Sequence, residues 1–98
     1  MLRVSVSYAA RQDLEDILYY SIANFGETTA SQYRADLDAA IVSIGGDPRI
    51  GRPIKMRKHS YRRLSCRSHG IFYTSDANGV TVIRVLHLAM DFVRHLPR

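Results

Sequence analysis

Gly70-Ile71-Phe72-Tyr73-Thr74-Ser75-Asp76-Ala77-Asn78-Gly79-Val80-Thr81-Val82-Ile83-Arg84-Val85-Leu86 is the stretch whose reading decides the fold. Two runs rich in β-branched and aromatic residues flank Asn78-Gly79, a pair that accepts the positive φ angles of a type I′ hairpin turn. Residues 70–75 and 80–86 are therefore predicted to be antiparallel neighbours. Residues 61–66 read as a further strand, joined to them through a looser turn at Arg67-Ser68-His69-Gly70.

Toward the N-terminus the period changes. Leu2, Val4 and Val6 alternate with Arg3, Ser5 and Ser7, which is the pattern of a short half-buried strand. From Ala9 onward Ala10, Leu14, Ile17, Leu18, Ile22 and Phe25 recur at three- and four-residue steps and predict one apolar helical stripe, ended by Gly26. A second helix is predicted after Thr28 as N-cap, with Ala30, Tyr33, Leu37, Ala40, Ile41 and Ile44 on one face and Gly45-Gly46-Asp47-Pro48 as its stop. Two helices joined by so few residues run antiparallel, so residues 9–45 are expected to form a hairpin that needs a sheet to cover. Residues 48–60 read as an exposed basic connector with a short extended piece at 54–56. The expected architecture is α+β: an N-terminal strand, an antiparallel two-helix hairpin packed on a small, mainly antiparallel sheet, and a short C-terminal helix or tail at 91–96, all within one domain of residues 1–98.

The net charge of +5 conceals an asymmetry. Residues 1–47 carry three basic and seven acidic residues, whereas residues 48–98 carry eleven basic and two acidic ones. A basic half of this kind favours an acidic partner, either nucleic acid or an acidic protein segment. No apolar run approaches the ~18 residues of a membrane span, and no signal-peptide core follows Met1, so the chain is expected in the cytoplasm. Cys66 is alone, which excludes an intrachain disulfide and a cysteine-rich metal site.

Catalytic chemistry finds little support in the spacing. His87, Asp91 and His95 would share a face only if helix ran unbroken through a segment that begins as a strand, so no metal site is expected. Cys66 and His69 lack an oxyanion loop, and Asp13, Glu15 and Asp16 read as a solvated helical face. Metal-free RNA cleavage would draw on Arg62, Arg63, Arg84, His69 and His87, although adjacent Arg62 and Arg63 point to opposite faces of a strand.

The order β-α-α-β-β-β resembles the ParE branch of the RelE/ParE toxin superfamily. The resemblance is carried by Asp47-Pro48-Arg49-Ile50-Gly51-Arg52-Pro53, Tyr61-Arg62-Arg63-Leu64, His69-Gly70-Ile71-Phe72-Tyr73 and Arg84-Val85-Leu86-His87, followed by Met90-Asp91 and Arg94-His95-Leu96. It implies a toxin of a type II toxin–antitoxin module, neutralised by a ParD-like antitoxin and directed, as in studied members, at DNA gyrase. The RelE branch shares the fold and cuts messenger RNA in the ribosome. Of its alternating basic residues only Arg62 is matched: Leu64 stands in the next basic position, Gly70 and Ile71 replace a middle-strand Arg, and no Tyr or Lys follows Tyr73. These departures favour a binding mechanism over an enzyme, and a non-toxic scaffold is the third reading.

Target engagement is accordingly expected at Arg84, His87, Met90, Asp91, Arg94 and His95, with the bland alternative that Asp91 pairs with Arg94 and His87 anchors the tail. Antitoxin contact is expected at Leu14, Leu18, Arg52, Lys55, Arg57, Lys58 and Arg62, in a toxin–antitoxin hetero-oligomer. No cofactor, no membrane and no direct nucleic-acid contact are expected.

Overall fold

Ser7 begins the helical layer. Its Oγ accepts from the Ala10 backbone N–H at 3.0 Å, capping the first helix, and donates to the Ile83 carbonyl at 2.8 Å, tying that helix start to the last strand. The computed structural model describes residues 1–97, with elements β1 (Val4–Val6), α1 (Tyr8–Phe25), α2 (Glu27–Gly46), β2 (Arg52–Lys55), β3 (Ser60–Cys66), β4 (His69–Asp76) and β5 (Gly79–His87), then a 3-10 turn at Phe92–Arg94. One five-stranded sheet has the order β1-β5-β4-β3-β2, with β1 parallel to β5 and every other pair antiparallel. The helical hairpin covers one face, as its stripes predict.

Several local details differ from the sequence expectation. The two helices are separated by Gly26 alone, whose φ of 87° makes the corner. Its N–H donates to the Ile22 carbonyl and its own carbonyl accepts from Ala30, both at 3.0 Å, so α2 starts at Glu27 and Thr28 lies inside its first turn. The β4–β5 turn is also not of the predicted type. Asp76 pairs with Gly79, which leaves Ala77 and Asn78 as the loop, and Arg67 is the only non-glycine with positive φ among the described residues. The Asp76 Oδ1 accepts from the N–H groups of Asn78 and Gly79 at 2.8 and 3.2 Å, stabilising a turn in which Asn78 keeps an ordinary φ. The β3–β4 turn is tighter than expected: Cys66 pairs with His69, so Arg67 and Ser68 alone make the corner. Arg67 accepts its φ of 53° because its guanidinium is held by Asp36 and lies 5.2 Å from the Tyr33 ring centroid. The extended piece of the connector is Arg52–Lys55 rather than 54–56.

The helix-side core joins Ala10 and Leu14 of α1, Leu37, Ile41 and Ile44 of α2, and Ile71, Tyr73, Val80, Val82 and Val85 of the sheet. In β5 these residues step by two and then by three. The register explains it: Phe72 faces Arg84 while Tyr73 faces Val82, so Ile83 is an extra bulged residue that reverses the alternation. The opposite face carries a second cluster that the sequence pattern did not reveal. There Leu96 packs on Tyr61, Phe72 and Leu86, the Phe92 and Phe72 rings lie 5.2 Å apart, and Tyr61 donates its hydroxyl to the Pro97 carbonyl at 2.9 Å. The C-terminal tail is thus a lid on the sheet's second face. The α1 stripe, by contrast, outruns the sheet, because Phe25 is 63% exposed and Ile22 is also exposed.

Tyr73 closes the helix-side core and pins the connector. Its buried hydroxyl donates to the Pro48 carbonyl at 2.6 Å and accepts from Gly51 N–H at 2.9 Å. Tyr73→Phe keeps the ring but orphans both backbone groups, and should lower unfolding free energy by about 1–3 kcal/mol in urea titrations. An unchanged midpoint would remove the hydroxyl from the account of how residues 48–51 are held.

Candidate functional site

Three surfaces stand out after the core is formed: the tail side, beyond the end of β5; the basic edge at β2 and β3; and the exposed C-terminal half of α1. On the tail side Arg84 is the centre. Its Nε and one terminal nitrogen donate to the two Asp13 carboxylate oxygens at 2.7 and 2.8 Å, and the other terminal nitrogen donates to the His95 carbonyl at 3.2 Å. Asp13 also accepts the Val85 N–H at 2.9 Å. The Asp13 side chain is only 12% exposed, so the expectation that it belongs to a solvated face is corrected. The hydrogen bonds that Arg84 donates to Asp13 raise its pKa, and burial opposes them. Arg84 is therefore a bidentate, half-buried partner that fixes the tail to α1 and β5.

The other expected target residues are arranged around it. His87 ends β5, accepts the Ala89 N–H on Nδ1 at 3.0 Å and lies edge-on to His69 at 5.2 Å. The carbonyl of His95 is bound, and its ring is half-buried. Arg94 and Asp91 form an ion pair at 3.5 Å with both side chains mostly exposed, an interaction worth about 0–1 kcal/mol. Met90 is exposed, and Leu88 and Val93, not singled out in the sequence, are exposed with it. The tail side therefore presents three apolar side chains around a weak ion pair.

The expected antitoxin contacts divide. Arg52 and Lys55 lie on β2, the last strand of the sheet, and Arg57 and Lys58 are exposed in the turn to β3. Arg62 is not free: it donates to the Gly51 carbonyl at 2.7 Å and supports the connector. Leu14 is 4% exposed in the helix-side core and offers nothing to a partner, while Leu18 is half-buried. The periodicity that marked Leu14 as apolar could not say whether the sheet or a partner would cover it. Exposed aromatic residues instead lie farther along α1, at Tyr19, Tyr20 and Phe25.

Beside Tyr20 and Phe25 a cleft of about 400 Å³ is lined by Ile17, Tyr33, His69 and His87. The Tyr33 hydroxyl accepts the Ser68 N–H at 3.1 Å and lies 2.6 Å from the His69 Nδ1. Burial, followed by the charge of His87, lowers the His69 pKa below its ordinary 6.5, and Asp13 partly offsets this. A neutral His69 accepting the Tyr33 proton is the consistent arrangement. The cleft exposes mainly apolar and aromatic surface, with Asp16, Ser21, Thr29 and Ser68 also in its lining. Cys66 pairs with His69 across the ladder, and burial, reinforced by Asp36, raises its thiol pKa, the opposite of an activated nucleophile.

This geometry has known relatives. Residues 4–92 match the family described as "ParE toxin of type II toxin-antitoxin system, parDE". The chain belongs to the ParE toxin family. It is 39% identical over 95 residues to Toxin ParE1 of Mycobacterium tuberculosis, covering 96% of this chain and 97% of that one. It is 37% identical over 91 residues to Toxin ParE1 of Caulobacter vibrioides, covering 93% and 94% of the two chains. Among solved structures, a chain of the chromosomal ParDE system of P. aeruginosa superposes with a TM-score of 0.76 at 15% identity, over 89% of this chain and 96% of that one. The YoeB dimer of Staphylococcus aureus gives a TM-score of 0.53 at 20% identity, over 88% and 95%, a likeness of fold. The protein is thus the toxin component of a type II toxin–antitoxin module, and no helix of its described residues is long and apolar enough to cross a membrane.

Two measurements test the toxin's tail-side geometry. Asp13→Asn leaves the Arg84 guanidinium half-buried without its carboxylate and should cost about 3 kcal/mol, with faster hydrogen exchange at the Val85 amide. Normal stability and exchange would show that α1 and the tail are held elsewhere. For His69 the sign follows from its lowered native pKa. Below about pH 6.5 the unfolded chain binds a proton that native His69 resists, so stability is full above that pH and falls as pH drops toward the native value. His69→Gln should reduce the loss of stability between about pH 7.5 and 5.5 in urea melts. Equal losses in the two proteins would place the acid sensitivity in other groups.

Proposed function

We infer that this toxin acts by binding DNA gyrase in the cytoplasm rather than by cleaving RNA, and that a ParD-like antitoxin neutralises it. The observation that carries the inference is the commitment of two of the three arginines on which RNA cleavage would draw. Arg62 is bonded to the Gly51 carbonyl and Arg84 to Asp13, so neither is left to stabilise phosphorane-like charge. Met90, Asp91 and Arg94, with Leu88 and Val93, form the surface that contacts the target. Arg84, His87 and His95 hold that surface in place.

The antitoxin in this reading docks an amphipathic segment over Leu18, Tyr20 and Phe25 of α1, and reaches the cationic side chains of Arg52, Lys55, Arg57 and Lys58 with acidic residues. Apolar burial of about 1.5–3 kcal/mol per anchored side chain outweighs about 0–1 kcal/mol per exposed ion pair, so the hetero-oligomer rests mainly on the aromatic contacts. The reading needs no cofactor and treats residues 1–98 as one toxin domain.

Purified toxin should inhibit supercoiling by gyrase or trap gyrase on cut DNA, and should leave ribosome-bound messenger RNA intact. Arg94→Ala, whose exposed side chain contributes little to folding, should weaken gyrase inhibition without changing the melting temperature. Codon-dependent cleavage of messenger RNA with gyrase unaffected would overturn the reading in favour of a ribonuclease.

A further inference from the structure

The strand register places four residues in one row across the tail-side face. Arg52 is opposite Arg63, Arg63 opposite Phe72, and Phe72 opposite Arg84. Residues so paired share a face of the sheet, and like charges directly opposite destabilise the ladder. Asp13 neutralises Arg84, but neither Arg52 nor Arg63 has an ion-pair partner among the described residues. The stem of Arg63 lies across Gly70, where a Cβ would come within 2.9 Å of the Arg63 Cδ and 3.2 Å of the Leu88 Cδ2. That path leaves the Arg63 Nε shielded from water with no acceptor. A buried donor of this kind is costly until an acceptor arrives.

We propose that Arg52 and Arg63 form a carboxylate clamp for an acidic side chain carried by an extended partner segment that pairs with the outer edge of β2. The edge is available, since β2 ends the sheet order. A strand added there alternates its side chains between faces, so one residue falls in the Arg52–Arg63 row, and a residue two positions away falls in the Ile54–Tyr61 row. The partner motif is therefore acidic at one position and apolar two residues away. The surroundings favour a carboxylate over a polynucleotide. Tyr61 and Phe72 on this face are buried at 4% and 2% exposure, so they offer no stacking platform for bases, whereas an arginine fork matches a carboxylate bidentately. Identifying the segment with the antitoxin rests on the toxin reading; the chemistry of the clamp does not.

The test uses the full chain and a synthetic heptapeptide, acetylated and amidated, of sequence Lys-Ile-Thr-Glu-Thr-Ile-Lys, beside a control with Gln for Glu. At about 0.15 M salt, where diffuse attraction is screened, the Glu peptide should bind about tenfold more tightly than the Gln peptide, the scale of a charge-assisted fork. The Arg63 Nε–H resonance should move on binding. The advantage should disappear in Arg63→Lys, which keeps charge but loses the fork, and shrink in Arg52→Gln, an exposed change that leaves folding intact. Equal affinity for the two peptides, or an undiminished advantage in both variants, would overturn the clamp. So would a single-stranded oligonucleotide that outcompetes the Glu peptide and is itself lost in Arg63→Lys, since the site would then take phosphate. A toxin that spares gyrase yet prefers the Glu peptide supports the clamp and removes only the target reading.

Discussion

The pairing of Asp13 with Arg84 and the Val85 N–H is the constraint on which the tail side of this toxin depends. β1 covers the edge of β5 only at Val80, Thr81 and Val82. Beyond that point β5 would present an open row of backbone groups, a liability in any sheet. Side chains take over where β1 stops: Ser7 occupies the Ile83 carbonyl and Asp13 the Val85 N–H. Arg84 then neutralises Asp13 and extends a third bond to the His95 carbonyl, so edge closure and tail placement share one charge pair. The Ile83 bulge makes this geometry possible. It takes Arg84 out of the alternation that puts Val80 and Val82 under the helices, and returns Val85 to the core.

The same small sheet has to satisfy two layers. The hairpin buries its middle and leaves the C-terminal half of α1 projecting with Tyr19, Tyr20 and Phe25 exposed. The tail buries Leu96 and Phe92 on the other face and leaves Leu88, Met90 and Val93 outside. A domain of this size cannot cover all its apolar surface. Those two uncovered patches lie on opposite layers of the molecule.

Charge follows a similar division. Three cations of the basic half are spent internally: Arg62 on connector carbonyls, Arg67 on Asp36 and the Tyr33 ring, Arg84 on Asp13. Of the cations left over, Arg52, Lys55, Arg57 and Lys58 gather at β2 and its following turn, at the open edge of the sheet. The number of positive residues in this half therefore overstates how many are free at the surface.

Periodicity alone determined the element order, the helical hairpin and the neighbouring of β4 and β5, because alternation and the helical stripe are local properties of the chain. It also marked Arg84, His87 and Arg94 as a cluster, since they are close in sequence. It misassigned the β4–β5 turn, because Asp76 could stabilise an ordinary type of turn as well as Asn78-Gly79 could stabilise a primed one. The sequence reading took Asp13 as solvated and Leu14 as a partner anchor, and considered Arg63 only for RNA cleavage. Each of these depends on what lies across space: Val85 and Arg84 beside Asp13, the sheet beneath Leu14, Gly70 beneath Arg63. Register, bulge and the returning tail are products of tertiary packing, and a one-residue slip in β5 reverses which face a side chain occupies. The chain's local pattern could decide which residues were apolar or charged, but only the assembled sheet could decide which of them were left to meet a partner.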